Sequence, residues 1–383
     1  MTVTAPAGFR AAGVAAGLKS SGAPDVALVV NDGPDDVAAA VFTTNRFPAA
    51  PVLWSRQVLA GNRLRAVVLN SGGANACTGP EGFSDTHATA EHVAGQLGVG
   101  AIDVAVASTG LIGVRLPMER LLAGASEAAE ALSADGGPDA ARAIMTTDSV
   151  PKTTVQTGGG WTVGGMAKGA GMLAPSLATM LVVLTTDAVV DAAVLEPALR
   201  AATGASFERV DSDGCLSTND TVVVMANGAS GVTPSAEEFT AALTAAATDL
   251  AMQLLADAEG STKDIAITVR NAASVADALT AGRACARNNL LKTALFGNDP
   301  NWGRVLAAIG TTDAAFEADQ VDVTINGVTV CRGGAIGDPR DGVDLTGRAV
   351  TIDVDLGAGA EQATIWTNDL SIAYVHENSA YST

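Results

Sequence analysis

The chain has 383 residues, 48% of them hydrophobic and 16% charged, a composition that excludes a disordered polypeptide and allows about two to three domains or one large α/β unit. Its 41 acidic and 22 basic residues leave a net charge of -19, and no Lys/Arg run interrupts it. Nucleic acid and anionic membrane surfaces would meet net repulsion and are excluded as partners.

Residues 1–10 lack the basic start and apolar core of a secretory signal, and no apolar run approaches the ~18 to 20 residues of a membrane span, so a cytoplasmic protein is expected. Short β-branched or apolar runs predict strands over 25–30, 66–69, 102–107, 180–185, 221–225, 265–269, 321–325 and 349–356. Ala-rich stretches between them predict helices over 86–97, 118–132, 234–256 and 274–288, the third opened by Thr233 as N-cap with Pro234 at its first position. Asn326-Gly327 and the Gly-rich segment 158–165 read as hairpin turns, so the α/β chain carries mixed or antiparallel sheets and not a purely parallel one.

Cys77, Cys215, Cys285 and Cys331 are widely spaced without a C-x-x-C pair, which argues against a disulfide framework or zinc ribbon. The three histidines, His87, His92 and His376, form no H-E-x-x-H motif, and the acidic loop around Asp211 to Asp220 does not reproduce an EF-hand, so no metal is expected. Segment 169–174 matches G-x-G-x-x-A, but Pro175 and an apolar strand follow where a phosphate-binding helix should begin. Ser149 and Lys152 match S-x-x-K, yet Pro151 lies inside that turn and no S-D-N or K-T-G accompanies it.

The segment 168–181 (Lys-Gly-Ala-Gly-Met-Leu-Ala-Pro-Ser-Leu-Ala-Thr-Met-Leu) sets the hydroxyl of Thr179 between a glycine loop and a strand. From the residues alone Thr179 is either a cap on a buried strand or a nucleophile. Were the Ala178–Thr179 bond cut, Thr179 would bear its own base, an α-amine with a pKa of roughly 7.7 to 8.0.

This segment resembles the cleavage site of the ornithine acetyltransferase (glutamate N-acetyltransferase) family of arginine biosynthesis. Segments 107–113, 144–148, 257–263, 296–304 and 376–383 resemble the same family in the same order. The resemblance implies an αββα-type mixed-sheet core with a smaller α/β lobe. It implies autocatalytic cleavage between Ala178 and Thr179, giving an α chain of residues 1–178 and a β chain of residues 179–383 that interleave in one core and assemble as α2β2. Thr179 would accept acetyl from N-acetylornithine and pass it to glutamate, with acetyl-CoA as a possible further donor and no cofactor. The runner-up of the same architecture is an N-terminal-nucleophile aminopeptidase or amidase, with water as acceptor.

By the same resemblance Thr109 and Gly110 form the oxyanion hole, and Thr146, Lys168, Thr179, Glu259, Asn378 and Thr383 bind substrate, with Thr147 a close competitor for Thr146. Read without it, Thr109-Gly110 is a turn after a strand, Lys168 a solvated loop lysine and Glu259 a helix-end carboxylate.

Overall fold

The structure, a computed structural model, describes residues 2–172 and 180–380. In chain order its elements are β1 (Phe9–Val14), β2 (Val26–Asn31), β3 (Val37–Phe42), α1 (Ala50–Val58), β4 (Ala66–Asn70), α2 (Gly79–Leu97), β5 (Val104–Ser108), α3 (Met118–Glu130), α4 (Gly137–Ala143), β6 (Lys152–Thr157) and β7 (Thr162–Lys168). Then come β8 (Leu181–Thr186), α5 (Ala192–Ala205), β9 (Thr221–Ala226), α6 (Ala236–Ala256), β10 (Asp264–Ala272), α7 (Val275–Ala286), α8 (Asn289–Phe296) and α9 (Trp302–Ile309). The chain closes with β11 (Asp322–Ile325), β12 (Val328–Arg332), β13 (Ala335–Ile336), β14 (Ala349–Asp355), β15 (Glu361–Asn368) and α10 (Ile372–Ala380).

Three sheets result, ordered β1-β2-β4-β5, β3-β9-β8-β7-β6 and β13-β12-β11-β14-β10-β15. Each mixes pairings, with β4–β5, β8–β9 and β10–β14 parallel and their other neighbours antiparallel. The second sheet explains the continuous apolar runs of its central strands β8 and β9, because both faces are buried there. Leu181, Val183, Val223 and Met225 pack with the first sheet, while the alternate residues Val182, Leu184, Val222 and Val224 pack under α5 and α6. Helices α1 to α4 cover the first sheet, completing an αββα sandwich. The third sheet and α7 to α9 enclose a separate core, the smaller α/β lobe.

Helix boundaries differ from expectation where capping overrides the apolar pattern. Helix α6 starts at Ala236, not Pro234, because Ser235 accepts the Glu238 N–H at 3.2 Å and the Glu238 carboxylate accepts the Ser235 N–H at 3.0 Å, a capping box that Thr233 cannot form. Helix α2 begins at Gly79 instead of residue 86, since Pro80 sits in its first turn, where it lacks only an unused donor. Among the described residues α6 is the one helix long and apolar enough to cross a membrane, and its buried face, Phe239, Leu243, Leu250 and Leu254 among others, packs in the core.

Leu184, on β8, is 0% exposed beneath the α5–α6 layer. Leu184→Ala should lower unfolding free energy by about 2 to 5 kcal/mol, read from the urea midpoint at unchanged slope; a loss under about 1 kcal/mol would contradict this packing.

Candidate active site

A cleft opens where β5 and β7 end, β9 begins and α6 stops. It encloses about 630 Å³, its open mouth included, and its wall contains Thr109, Gly110, Thr146, Thr147, Lys168, Glu259 and Asn378. Thr109 and Asn378, 269 residues apart in sequence, thus meet at one place. Ala178, Thr179 and Thr383 lie outside the described residues. Met172 lies in the cleft wall, and the Met180 N–H donates to Asp220 Oδ1 at 3.1 Å.

Thr109 and Gly110 follow β5 in a turn tied to the neighbouring loop: the Thr109 N–H donates to Asn70 O and the Gly73 N–H to Thr109 O, both at 3.0 Å. Gly110 has φ +127°, and a Cβ there would lie 2.8 Å from the Gly73 backbone nitrogen, so glycine is required by both conformation and space. Among the described residues the Gly110 N–H has no hydrogen-bond acceptor, which leaves it available to a ligand oxygen.

Lys168 ends β7 fully buried, not in a solvated loop, and its ammonium donates to Thr109 Oγ1 at 3.2 Å. Burial pushes its pKa down, opposed by Asp148 and more weakly by Asp220 and Glu259, with Lys152 adding to the depression. Asp148 is a centre that the sequence motif 144–148 does not reveal. Its Oδ2 accepts the Thr146 N–H at 3.0 Å, and its Oδ1 accepts the Gly169 N–H at 2.7 Å and the Lys152 ammonium at 2.6 Å. Burial pushes the Asp148 carboxyl up, but Lys168, Lys152 and the Gly169 N–H overcome it and hold it below the usual carboxylate range. The Ser149/Lys152 pair is no catalytic dyad, because Lys152 is clamped by Asp148 and, at 2.5 Å, by Asp257.

Glu259 follows the C-cap of α6, Asp257, and its N–H donates to Ala170 O at 2.9 Å. Its carboxylate lies so near Gly171 that a Cβ there would sit 2.6 Å from Oε2. Asn378 comes from α10, whose start is fixed by Ser371 Oγ donating to Gly260 O at 2.5 Å. Gly260 itself has φ +61°, and a Cβ there would meet Tyr374 N at 2.2 Å.

Ser217, Thr218 and Asn219 also line the cleft and were not singled out from the sequence for any role in it. Asn219 Nδ2 donates to Ala74 O at 2.6 Å and Ser108 O at 2.7 Å, joining the turns that flank Thr109. Such a role arises from contacts more than a hundred residues away, and a polar loop carries no local signal of it. Asp220 is fully buried and pushed well above the usual carboxylate range, mainly by burial. Among the described residues no three His, Cys, Asp or Glu side chains are grouped to hold a metal ion. The cleft therefore offers hydroxyls, a free backbone N–H, a buried lysine and one carboxylate, a set suited to acyl transfer on a substrate bearing a cation.

A sequence model described as the ArgJ family matches residues 10–383. Over 382 residues and the whole of both chains, the sequence is 65% identical to the arginine biosynthesis bifunctional protein ArgJ of Streptomyces avermitilis and 63% identical to that of Streptomyces coelicolor. A solved structure of ornithine acetyltransferase complexed with ornithine, from Mycobacterium tuberculosis, matches at 66% identity with a TM-score of 0.46, over 46% of this chain and 96% of that one.

The close approach at Gly171 yields a direct test. Gly171→Ala should displace the Glu259 carboxylate and raise the KM for a cationic substrate about tenfold or more while the fold survives; an unchanged KM would show that the carboxylate does not need its observed position.

Proposed function

The chain belongs to the ArgJ family, and on that premise we propose that it is an acyltransferase of arginine biosynthesis that carries acetyl from N2-acetylornithine to glutamate through an ester on Thr179. The convergence of Thr109, Gly110, Lys168 and Glu259 in one cleft is the observation that supports this most.

The first reaction is on the chain itself. Thr179 Oγ1 attacks the carbonyl carbon of Ala178, the peptide C–N bond gives way to an ester, and water then cleaves that ester. Residues 1–178 keep the new carboxylate, and residues 179–383 begin with a free amine. That amine titrates near working pH and takes the proton from Thr179 Oγ1 in each later attack.

Acetyl transfer proceeds in two halves. Oγ1 attacks the acetyl carbonyl of N2-acetylornithine, and the tetrahedral oxyanion is met by the Gly110 N–H and the Thr109 hydroxyl. Because Thr109 Oγ1 already accepts from Lys168, its own proton is free to point at the oxyanion and is polarised toward it. Losing one such donor typically raises a barrier by about 2.7 to 4 kcal/mol. The amine of ornithine leaves with the proton, and the amine of glutamate attacks the acetyl-threonine ester in turn. Glu259 faces the ornithine side-chain ammonium, while Thr146, Thr147 and Asn378 hold its polar groups. Thr383 completes this set, and acetyl-CoA can enter as a second donor to the same ester, a reading that fits the bifunctional name of the relatives. We place the enzyme in the cytoplasm as two αβ units; the chemistry calls on no metal or bound cofactor.

Two measurements test the proposal. Purified wild-type protein should run on a denaturing gel as two polypeptides, the second with Thr179 as its first residue, whereas Thr179→Ala should stay intact and inactive. A single intact wild-type chain, or efficient cleavage of the Ala variant, contradicts it. With N-acetylornithine as donor, glutamate should raise ornithine release and yield N-acetylglutamate; release of acetate alone, indifferent to glutamate, identifies an amidase instead.

A further inference from the structure

We propose that Asp148 is a positioning residue of the acyl-transfer site and that the buried chain Asp257–Lys152–Asp148 locks the Glu259 loop to the loops bearing Thr146 and Gly169. This rests on the acyl-transfer reading above.

The connections are explicit. Asp148 receives three donors: the Thr146 N–H from its own loop, the Lys152 ammonium from the start of β6 and the Gly169 N–H from just beyond β7. Lys152 bridges to Asp257, whose carboxylate also accepts the Ser149 N–H at 3.0 Å and the Ser149 hydroxyl. Asp257 caps α6 two residues before Glu259. A movement at either carboxylate is therefore passed along the chain to the neighbouring loop of the cleft wall.

Stability alone gives no reason for this arrangement. The Asp148 and Lys152 side chains are both 0% exposed, and a buried ion pair commonly adds little over an apolar pair of similar volume, because desolvation offsets the attraction. What such a pair does supply is fixed geometry. Lys168 reinforces the point: it is a second buried ammonium, faced by Asp148, Asp220 and Glu259 and repelled by Lys152. Replacing Asp148 by a neutral residue leaves Lys152 paired to Asp257 and removes the largest of the attractions that oppose the downward push of burial on the Lys168 pKa.

The test uses full-length wild type, Asp148→Asn and Asp257→Asn, with folding checked by circular dichroism. Asp148→Asn should lower kcat/KM by about 10- to 100-fold and shift the alkaline limb of its pH profile to lower pH, since Lys168 would lose its proton more readily. Asp257→Asn, which keeps the Asp148–Lys152 pair, should raise the KM for N-acetylornithine and largely spare kcat. A folded Asp148→Asn enzyme with wild-type kcat/KM and an unmoved alkaline limb overturns the proposal. If Asp148→Asn fails to fold, Asp257→Asn decides, and an unchanged KM overturns it. Wild type run in parallel separates the two readings: wild type that neither cleaves nor transfers acetyl refutes the proposed function, whereas active wild type with indifferent variants refutes only the positioning role.

Discussion

A carboxylate held between two buried lysines is the constraint on which this site is built. Asp148 is 8% exposed and Lys152 and Lys168 at most 1%, so neither lysine can find water and each must be answered by protein oxygens. Lys152 is answered by Asp148 and Asp257, and Lys168 by Asp148 at a distance and by the Thr109 hydroxyl in direct contact. The same carboxylate also collects two backbone N–H groups. Satisfying these buried polar groups leaves little freedom for the 146–148 loop, the 168–169 corner or the end of α6.

The αββα sandwich explains why those groups meet. Strands β7, β8 and β9 are apolar on both faces because each face is covered, one by the first sheet and the other by α5 and α6. Polar side chains are accordingly pushed to strand ends. Lys168 ends β7, Ser108 ends β5 just before Thr109, and Asp220 immediately precedes β9. The ends of parallel neighbours β8 and β9 lie side by side, which lets Asp220 accept the Met180 N–H. Beyond the last strand of the smaller lobe the chain returns to the cleft, where α10, packed against Gly260, contributes Asn378.

Much of this was legible in the sequence, for identifiable reasons. The runs that became β2, β4, β5, β8 and β9 are strongly apolar, those that became β10, β11 and β14 alternate apolar with polar residues, and motif resemblance named seven residues that the fold does bring to one cleft. Elements whose composition argues against them were missed. Helix α5 contains Pro197, and β1 and β3 are dominated by Ala, Gly and Arg or by Ala, residues of weak strand preference that rely on pairing with β2 and β9. Asp148, Lys152 and Asp257 were out of reach for a different reason: a buried charge network is a property of three-dimensional neighbours, and each member taken alone resembles a solvated surface residue. Asn219 is the same case with an amide.

The central claim is that acetyl passes through the hydroxyl of Thr179, and it is tested most directly by the covalent intermediate. Enzyme given N-acetylornithine without an acceptor, quenched in acid and digested, should yield a peptide beginning at Thr179 that is heavier by one acetyl group, on the side-chain oxygen, and that loses the group when glutamate is added before quenching. An unmodified Thr179 peptide from enzyme that still forms N-acetylglutamate at its full rate would contradict the account.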